Sequence, residues 1–448
     1  MNLGAEVYLV SRFAKPEAVE SVCKRLNPDW VEEALVSTGK ASVRKRLLPA
    51  AQVVWLVVGM ALLRNRPIVD VVSSLDLVMP GKRKRVAGSS VVEARARLGD
   101  EPLAWLFSRT ADAWAHRSAD AHRWRGLGIY GADGTVLRVP DSESNRAYFG
   151  GQNAGAARGA SGYPLLRMVG LMALRSHLLA AASFGPYEYG ENTLAEELWR
   201  HVPDFSVVVV DRGFFGANIL MPLHSTGTQR HWLTREKSRL KMRCVERLGR
   251  GDEIVELVVS STARAKNPAL PETWTMRAIR YQRKGFRAQR LLTSMLDPKQ
   301  FPANEIVALY HERWELELTY DDLKTEMLER EETLRSQSPA AISQELLGIL
   351  IAHNLVRLEM ERVAALVGVS PLRISFTGAL RVIRDELMMN SLSSPGALPR
   401  HLDELARELA HLVLPPRRAR TAPRGVKIKM SNYPRVRPGD RKAARKGR

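Results

Sequence analysis

The stretch FSVVVVDRGFFG, residues 205 to 216, constrains the fold more than any other part of the chain. Four consecutive valines make both faces of a strand apolar, and their β-branched side chains suit a pleated backbone. A strand of this kind must be covered on both faces, as an inner strand of a layered α/β sheet is. The run closes on a charge, Asp211, at the carboxyl end of the strand, where open α/β sheets place their ligands. Capping of the following helix is the competing role for Asp211.

Upstream, GLGIYGADGTVLRVPD reads as two short strands around Asp133, and LLRMVGLMALRSHLLAAASFG as two more that turn between Arg175 and His177. A helix at TLAEELWRHV precedes the valine strand. Strands followed by helices predict an α/β core over residues 126 to 228, resumed over 294 to 335, with Asp133 and Asp211 both at carboxyl strand ends. Between these parts, residues 229 to 293 alternate apolar and polar positions, as in GDEIVELVVS and ETWTMRAIRY, the period of a small antiparallel β insertion. Residues 1 to 125 read as helical, with segments near 16 to 26, 28 to 37, 47 to 64, 67 to 76 and 90 to 118, and residues 336 to 414 read as helical again. The run AAQVVWLVVGMALL, Ala50 to Leu63, is short for a bilayer span and reads as a buried helix, so no membrane association is expected.

Lys and Arg number 68 against 48 acids, a net charge of +20. That balance favours a polyanionic partner. Residues 415 to 448 form a basic, proline-containing tail in which Asp440 is the sole acid. Lys82, Arg83, Lys84 and Arg85 lead into a segment where Ser90 and Glu93 have capping-box spacing, followed by Arg95 and Arg97. A capped basic helix suits phosphate contact or groove reading, with a solvated basic face as the competing reading. Two cysteines, Cys23 and Cys244, offer neither a disulfide framework nor a thiolate metal site and fit a reducing cytoplasm. No phosphate-cradling Gly-Lys-Ser/Thr loop and no Gly-x-Ser-x-Gly elbow occurs, which leaves P-loop ATP hydrolysis and serine hydrolase chemistry without support.

The chemistry concentrates in YHERWELELTYDDLKTEM, Tyr310 to Met327. At about 100° per residue, Tyr310, Arg313, Glu317 and Lys324 share roughly 60° of helix arc. Leu309, Leu316, Tyr320, Leu323 and Met327 form an adjacent apolar stripe, while Glu312, Glu315 and Asp322 point away and are expected to be solvated. Asp133, Asp211 and Glu317 then make a trio of hard oxygen donors able to hold two divalent cations. Two such ions activate an attacking oxygen and stabilise a leaving oxygen at a phosphodiester. Tyr310, Arg313 and Lys324 beside the glutamate are candidate contacts to backbone phosphates. Arg212 is another, with pairing to a carboxylate as its alternative, and Asp141 is a competing aspartate outside the trio.

Tyr310, two residues, Arg313, three residues, Glu317, six residues and Lys324 together resemble the signature of DDE transposases of the bacterial insertion-sequence-four family. GADGTVLRVPDSESNRAYFG resembles that family's first-aspartate region, and VVVVDRGFFGA its second. LNPDWVEEALVSTGKASVRKRLLPAAQVVWLVVGMALLRNRP, SPAAISQELLGILIAHNLVR and APRGVKIKMSNYPRVRP are also similar, so the likeness spans roughly residues 25 to 440. The resemblance implies a ribonuclease-H-like core with a β insertion, Mg²⁺ as the metal with Mn²⁺ substituting, and action on double-stranded DNA at transposon ends and target sites. It also implies a homodimer on DNA and cut-and-paste movement, commonly through a hairpin. Trp232, in TQRHWLTREK, becomes a candidate to stack on an unpaired base, with a core position as the competing reading, and Arg235 and Lys237 become candidates to line a DNA channel. A non-catalytic DNA-binding derivative that represses or bridges ends is the competing function, disfavoured by the intact trio of carboxylates.

Overall fold

The computed structural model describes residues 26–41, 48–75, 77, 86–151, 162–238, 240–283, 286–329, 333–390 and 407–416. The expected helix near 16 to 26 lies almost wholly outside the described residues, as do Lys82 to Arg85 and the tail beyond 416.

The described residues form nine strands: β1 (Gly128–Arg138), β2 (Leu165–Ala173), β3 (Leu178–Pro186), β4 (Ser206–Val210), β5 (Arg230–Arg235), β6 (Met242–Gly249), β7 (Asp252–Val258), β8 (Thr273–Tyr281) and β9 (Gln289–Thr293). They form one sheet in the order β3-β2-β1-β4-β5-β9-β8-β7-β6. β1, β2 and β3 pair antiparallel, with the β2–β3 turn at the expected place and His177 in the left-handed region at φ 63°. β4 pairs in parallel with β1, and β5 in parallel with β4. The valine strand is β4; every residue in it is buried between its two partners, as its two-faced apolarity requires. β5 lies in this parallel centre, although its alternating pattern reads like that of the strands after it. β9, β8, β7 and β6 continue the same sheet antiparallel.

The amino-terminal helices are α1 (Pro28–Ser37), α2 (Ala50–Leu62), α3 (Ile68–Ser74), α4 (Gly88–Leu98) and α5 (Glu101–Thr110). Asn27 caps α1 by accepting the Asp29 amide at 3.0 Å. The expected capping box does not form. α4 starts two residues before Ser90, after the buried Val86, and its N-cap is Ala87 with no side-chain bond. The expected helix of 90 to 118 is divided by Gly99 at φ 72°, after which α5 runs into a π-helical stretch, Ala111–His116, and α6 (Arg117–Ala121).

Short helices connect the strands: α7 (Glu143–Phe149), α8 (Glu191–Leu198), α9 (Ala217–Ser225) and α10 (Ser261–Lys266). α11 (Ala303–His311), α12 (Trp314–Asp321), α13 (Pro339–Leu366) and α14 (Phe376–Asn390) follow the sheet. α13 is long and apolar enough to cross a membrane by length and composition, yet 78% of its most apolar window is buried inside the protein. It packs against α2, α5 and β3. A Cβ on Gly348 of α13 would stand 2.9 Å from the Val57 carbonyl of α2, so the helices approach this closely at that point because residue 348 is glycine. Around this contact Arg64 pairs with Glu345, both buried, and Arg95 donates to Gln344 at 2.7 Å.

Tyr310 to Met327 is not one straight helix. α11 ends at His311, α12 begins at Trp314, and a π-helix occupies Asp322–Met327. The wider π turn breaks the 100° reckoning beyond Asp321. The three acids expected to be solvated are paired instead: Glu312 with Arg175 at 2.8 Å, Glu315 with His177 at 2.9 Å, and Asp322 with Arg357. Histidines and arginines of β3's entry turn and α13 meet them there, partners far away in sequence.

Candidate active site

Ala132 of β1 and Val210 of β4 form the last register pair of these parallel strands, so the next residue on each, Asp133 and Asp211, stand side by side. Asp211 follows the end of β4, as expected. Asp133 is not at a strand end, because β2 keeps pairing with β1 through Arg138. α12 lies over this part of the sheet through missing side chains. A Cβ on Gly131 would meet Leu316 at 3.0 Å, and one on Gly170 would meet the Tyr320 hydroxyl at 3.1 Å. Tyr320 donates its hydroxyl to the Asp133 carbonyl and accepts the Gly170 amide at 3.1 Å. Burial of Leu316 and Tyr320 supplies about 1.5–3 kcal/mol each, and the helix they anchor carries Glu317, which is exposed.

Arg313 ties the carboxylates together. Its Nη2 is 3.2 Å from Glu317 Oε1 and its Nη1 is 3.8 Å from Asp133 Oδ2. Burial works against the Arg313 charge, but Tyr310, Asp211, Asp133 and Glu317 outweigh it and hold the guanidinium more firmly protonated than usual. Asp133 responds in the opposite sense. Burial pushes its carboxyl up to about 6, the Gly134 amide at 2.8 Å and Arg313 oppose this, and the charges of Asp211 and Glu191 add to it. Among the described residues no three His, Cys, Asp or Glu side chains converge closely enough to form a ready metal cage, and the guanidinium stands among the carboxylates. The donor chemistry nevertheless fits a hard divalent ion: all-oxygen ligands, with a desolvated carboxylate crowded by like charges.

The other expected DNA contacts divide by position. Arg212 is exposed beside Asp211, and Arg235 is half-buried near Tyr310 and Tyr281. Lys237 donates to the Phe215 carbonyl at 2.8 Å and the Gly213 carbonyl at 3.3 Å, bracing the loop that follows Asp211. Lys324 lines one small cavity together with Tyr320 and Thr135, the latter two residues along β1 from Asp133. Tyr310 is only 7% exposed and hydrogen-bonds with Arg313, so it supports that arginine rather than reaching outward.

Two expectations are corrected. Trp232 has no exposed surface and packs with Trp274 and Phe215, ring centroids 5.1 and 6.3 Å away, which leaves no face for a base. Arg95 is buried, donating to Gln344, Ser336 and the Ala341 carbonyl, and joins α4 to α13. Arg97 faces outward, 3.9 Å from Glu93. Asp141, the competing aspartate, is occupied by Arg146 at 2.7 Å. Sequence reasoning placed Tyr320 in an apolar stripe and missed that its hydroxyl bonds the Asp133 carbonyl.

Residues 124–355 match the family described as transposase DDE domain, and residues 16–108 match insertion element 4 transposase N-terminal. The chain belongs to the insertion element 4 family of DDE transposases. Transposase InsG for insertion sequence element IS4, from Escherichia coli (strain K12), is 38% identical over 436 residues, covering 97% of this chain and 98% of that protein. Putative transposase InsZ of the same strain is 35% identical over 220 residues, 49% of this chain and 72% of that protein. A piggyBac transposase chain, solved in a synaptic complex with hairpin DNA, aligns over 89% of this chain at 11% identity with a loose TM-score of 0.43. As a DDE transposase of a transposable element, the chain is a DNA-binding recombination enzyme of a family that works with divalent metal ions.

Proposed function

We propose that this transposase binds the terminal inverted repeats of its own insertion sequence, cuts the strands there and joins the freed 3′ ends to target DNA by cut and paste. The observation that carries this reading is Arg313 set between Asp133 and Glu317 and within the field of Asp211, where two parallel strands meet α12. The strand order β3-β2-β1-β4-β5, with β4 parallel to β1, supports a ribonuclease-H-like core, with β6 to β9 as its insertion.

Asp133, Asp211 and Glu317 are the residues that would hold two Mg²⁺ ions, or Mn²⁺ in substitution. Bound there, the ions would neutralise charge on the attacking and leaving oxygens of a phosphodiester. Before that, Arg313 offsets repulsion among the carboxylates, and its planar fork suits a backbone phosphate entering the cleft. Tyr310 and Tyr320 fix Arg313 and Asp133 respectively, while Arg212, Arg235 and Lys324 offer phosphate contacts around the rim. The amino-terminal helices and the basic tail are the regions we assign to gripping the transposon ends. Two copies, one active site per end, form the assembly on DNA, at the nucleoid in the cytoplasm.

The test is purified protein with Mg²⁺ and a duplex carrying the inverted repeats that flank the coding sequence, set beside Glu317→Gln. Wild type cleaves at the repeat ends, and the variant binds the duplex without cutting it. No end-specific cleavage by wild type would defeat the reading; equal cleavage by the variant would defeat the assignment of the site.

A further inference from the structure

The turn between β2 and β3 grips the signature segment from behind the catalytic cleft. Arg175 holds Glu312 with two nitrogens, Nε at 3.0 Å and Nη2 at 2.8 Å. His177 places Nε2 2.9 Å from Glu315 Oε2 and Nδ1 3.9 Å from Asp322 Oδ2, so one imidazole stands between two acids at opposite ends of α12. Asp322, where α12 passes into the π-helix, also pairs with Arg357 and lies 3.8 Å from His353 Nε2, both on α13. Glu315, Thr319 and Asp322 recur at helical spacing and share one face of α12. Thr319 is buried on that face, where its hydroxyl reaches the Glu315 carbonyl at 3.1 Å and the Met172 sulfur of β2 at 2.9 Å. Glu317 lies about 200° around the helix from Glu315 by the ideal period, on the opposite side.

His177 is 1% exposed and sits in the left-handed region at φ 63°. That backbone favours glycine, so a turn that needed only to reverse the chain would gain nothing from an imidazole here. A buried side chain kept at such a position points to a use for its ring. Leu316 and the Tyr320 ring seat α12 on the sheet, which sets its distance. Directional contacts at Glu315 and Asp322 set its roll about its own axis. We propose that His177 is a positioning residue for strand cleavage: by holding Glu315 and Asp322 it fixes the roll of α12 and so aims Glu317 into the cleft. This rests on the reading of Glu317 as an active-site carboxylate. A role in stability alone would lower the melting temperature of a His177 variant and leave its cleavage rate on bound DNA at the wild-type value.

The experiment follows cleavage by the full-length protein with Mg²⁺ on a duplex carrying the flanking inverted repeats, in single turnover with protein saturating the duplex. It is run below the melting temperature of every variant, and affinity for the duplex is measured separately in chelator. The variants are His177→Gly, His177→Gln, Glu315→Ala, and His177→Gly with Glu315→Ala. His177→Gly keeps the turn and removes the ring. Its cleavage rate at saturation falls about a hundredfold, the effect of a displacement near 1 Å, while its affinity for end DNA stays that of wild type. Glu315→Ala gives a similar fall, the double variant adds little to either, and His177→Gln, whose amide can donate to Glu315, recovers part of the rate. A wild-type rate in His177→Gly, or losses that multiply in the double variant, would overturn the role of His177 and leave the cleavage reading standing. No end-specific cleavage by wild type would bring down that reading, and the positioning role with it.

Discussion

Tyr320 joins α12 to the sheet by donating its hydroxyl to the main-chain carbonyl of Asp133, and the same oxygen accepts the Gly170 amide. One phenol thus sets the height of the Glu317 helix above the strand that bears the first aspartate. Tyr320→Phe leaves a buried carbonyl and a buried amide unpaired, at a cost of about 1–3 kcal/mol. Urea unfolding measures that loss. Cleavage slows while affinity for end DNA stays unchanged, because the contact orients the carboxylates and touches no DNA.

The raised Asp133 carboxyl sets a pH dependence in protein stripped of metal by chelator. Its folded value of about 6 lies above the ordinary 3.8, so the folded state favours the protonated form. The resulting stability is fully present below pH 3.8 and is lost as pH rises through about 6, a difference of about 3 kcal/mol. Asp133→Asn removes this slope and raises the melting temperature of metal-free protein at pH 8. Adding Mn²⁺ at pH 8 stabilises wild type and leaves Asp133→Asn unaffected.

Arg95 and Arg97, two residues apart on α4, separate structural from surface roles. Arg95→Ala strips Gln344 and Ser336 of a buried donor and costs about 3 kcal/mol in denaturant unfolding. Arg97→Ala stays within about 0.5 kcal/mol of wild type, since its partner Glu93 is an exposed one.

Asp322 is ionised against its burial: desolvation pushes its carboxyl up, but Arg357 with His177 and His353 outweighs it and holds the group far below the usual range. Its contribution to stability is therefore present above the ordinary carboxylate value and fades as pH falls below it. Asp322→Asn strands the buried Arg357 and lowers stability by about 3–5 kcal/mol. A fall in melting temperature at pH 7, shrinking toward pH 3, is the expected record.

The valine strand and the turn at Arg175 to His177 were legible in the sequence because each depends on local pattern alone. Asp211 was placed by the same logic. The position of Asp133 inside β1 is not legible in the sequence, since only pairing with β2 tells where the strand goes on. β5 looks like β6 to β9 by alternation, and its parallel partner β4 is the sole difference. The signature helix kept its residue order but lost its ideal phase, because a π turn leaves no periodic trace in a short segment. Glu312, Glu315 and Asp322 looked like solvated acids since their partners lie 137, 138 and 35 residues away. The core reading of Trp232 holds, whereas the burial of Arg95 is not legible in the sequence, for burial of an arginine fork is decided by neighbours the sequence does not display.

Because Gly348 lets α2 and α13 meet at the distance of a missing side chain, and α13 also packs on β3, the amino-terminal helices and the catalytic sheet share one stiff beam. On the proposed function, a duplex gripped by those helices would be presented to the cleft at a set offset, as timber is held to a saw by its fence. The point of scission would then be a dimension of the protein itself, and a bulkier residue at 348 would shift the ruler before it touched the blade.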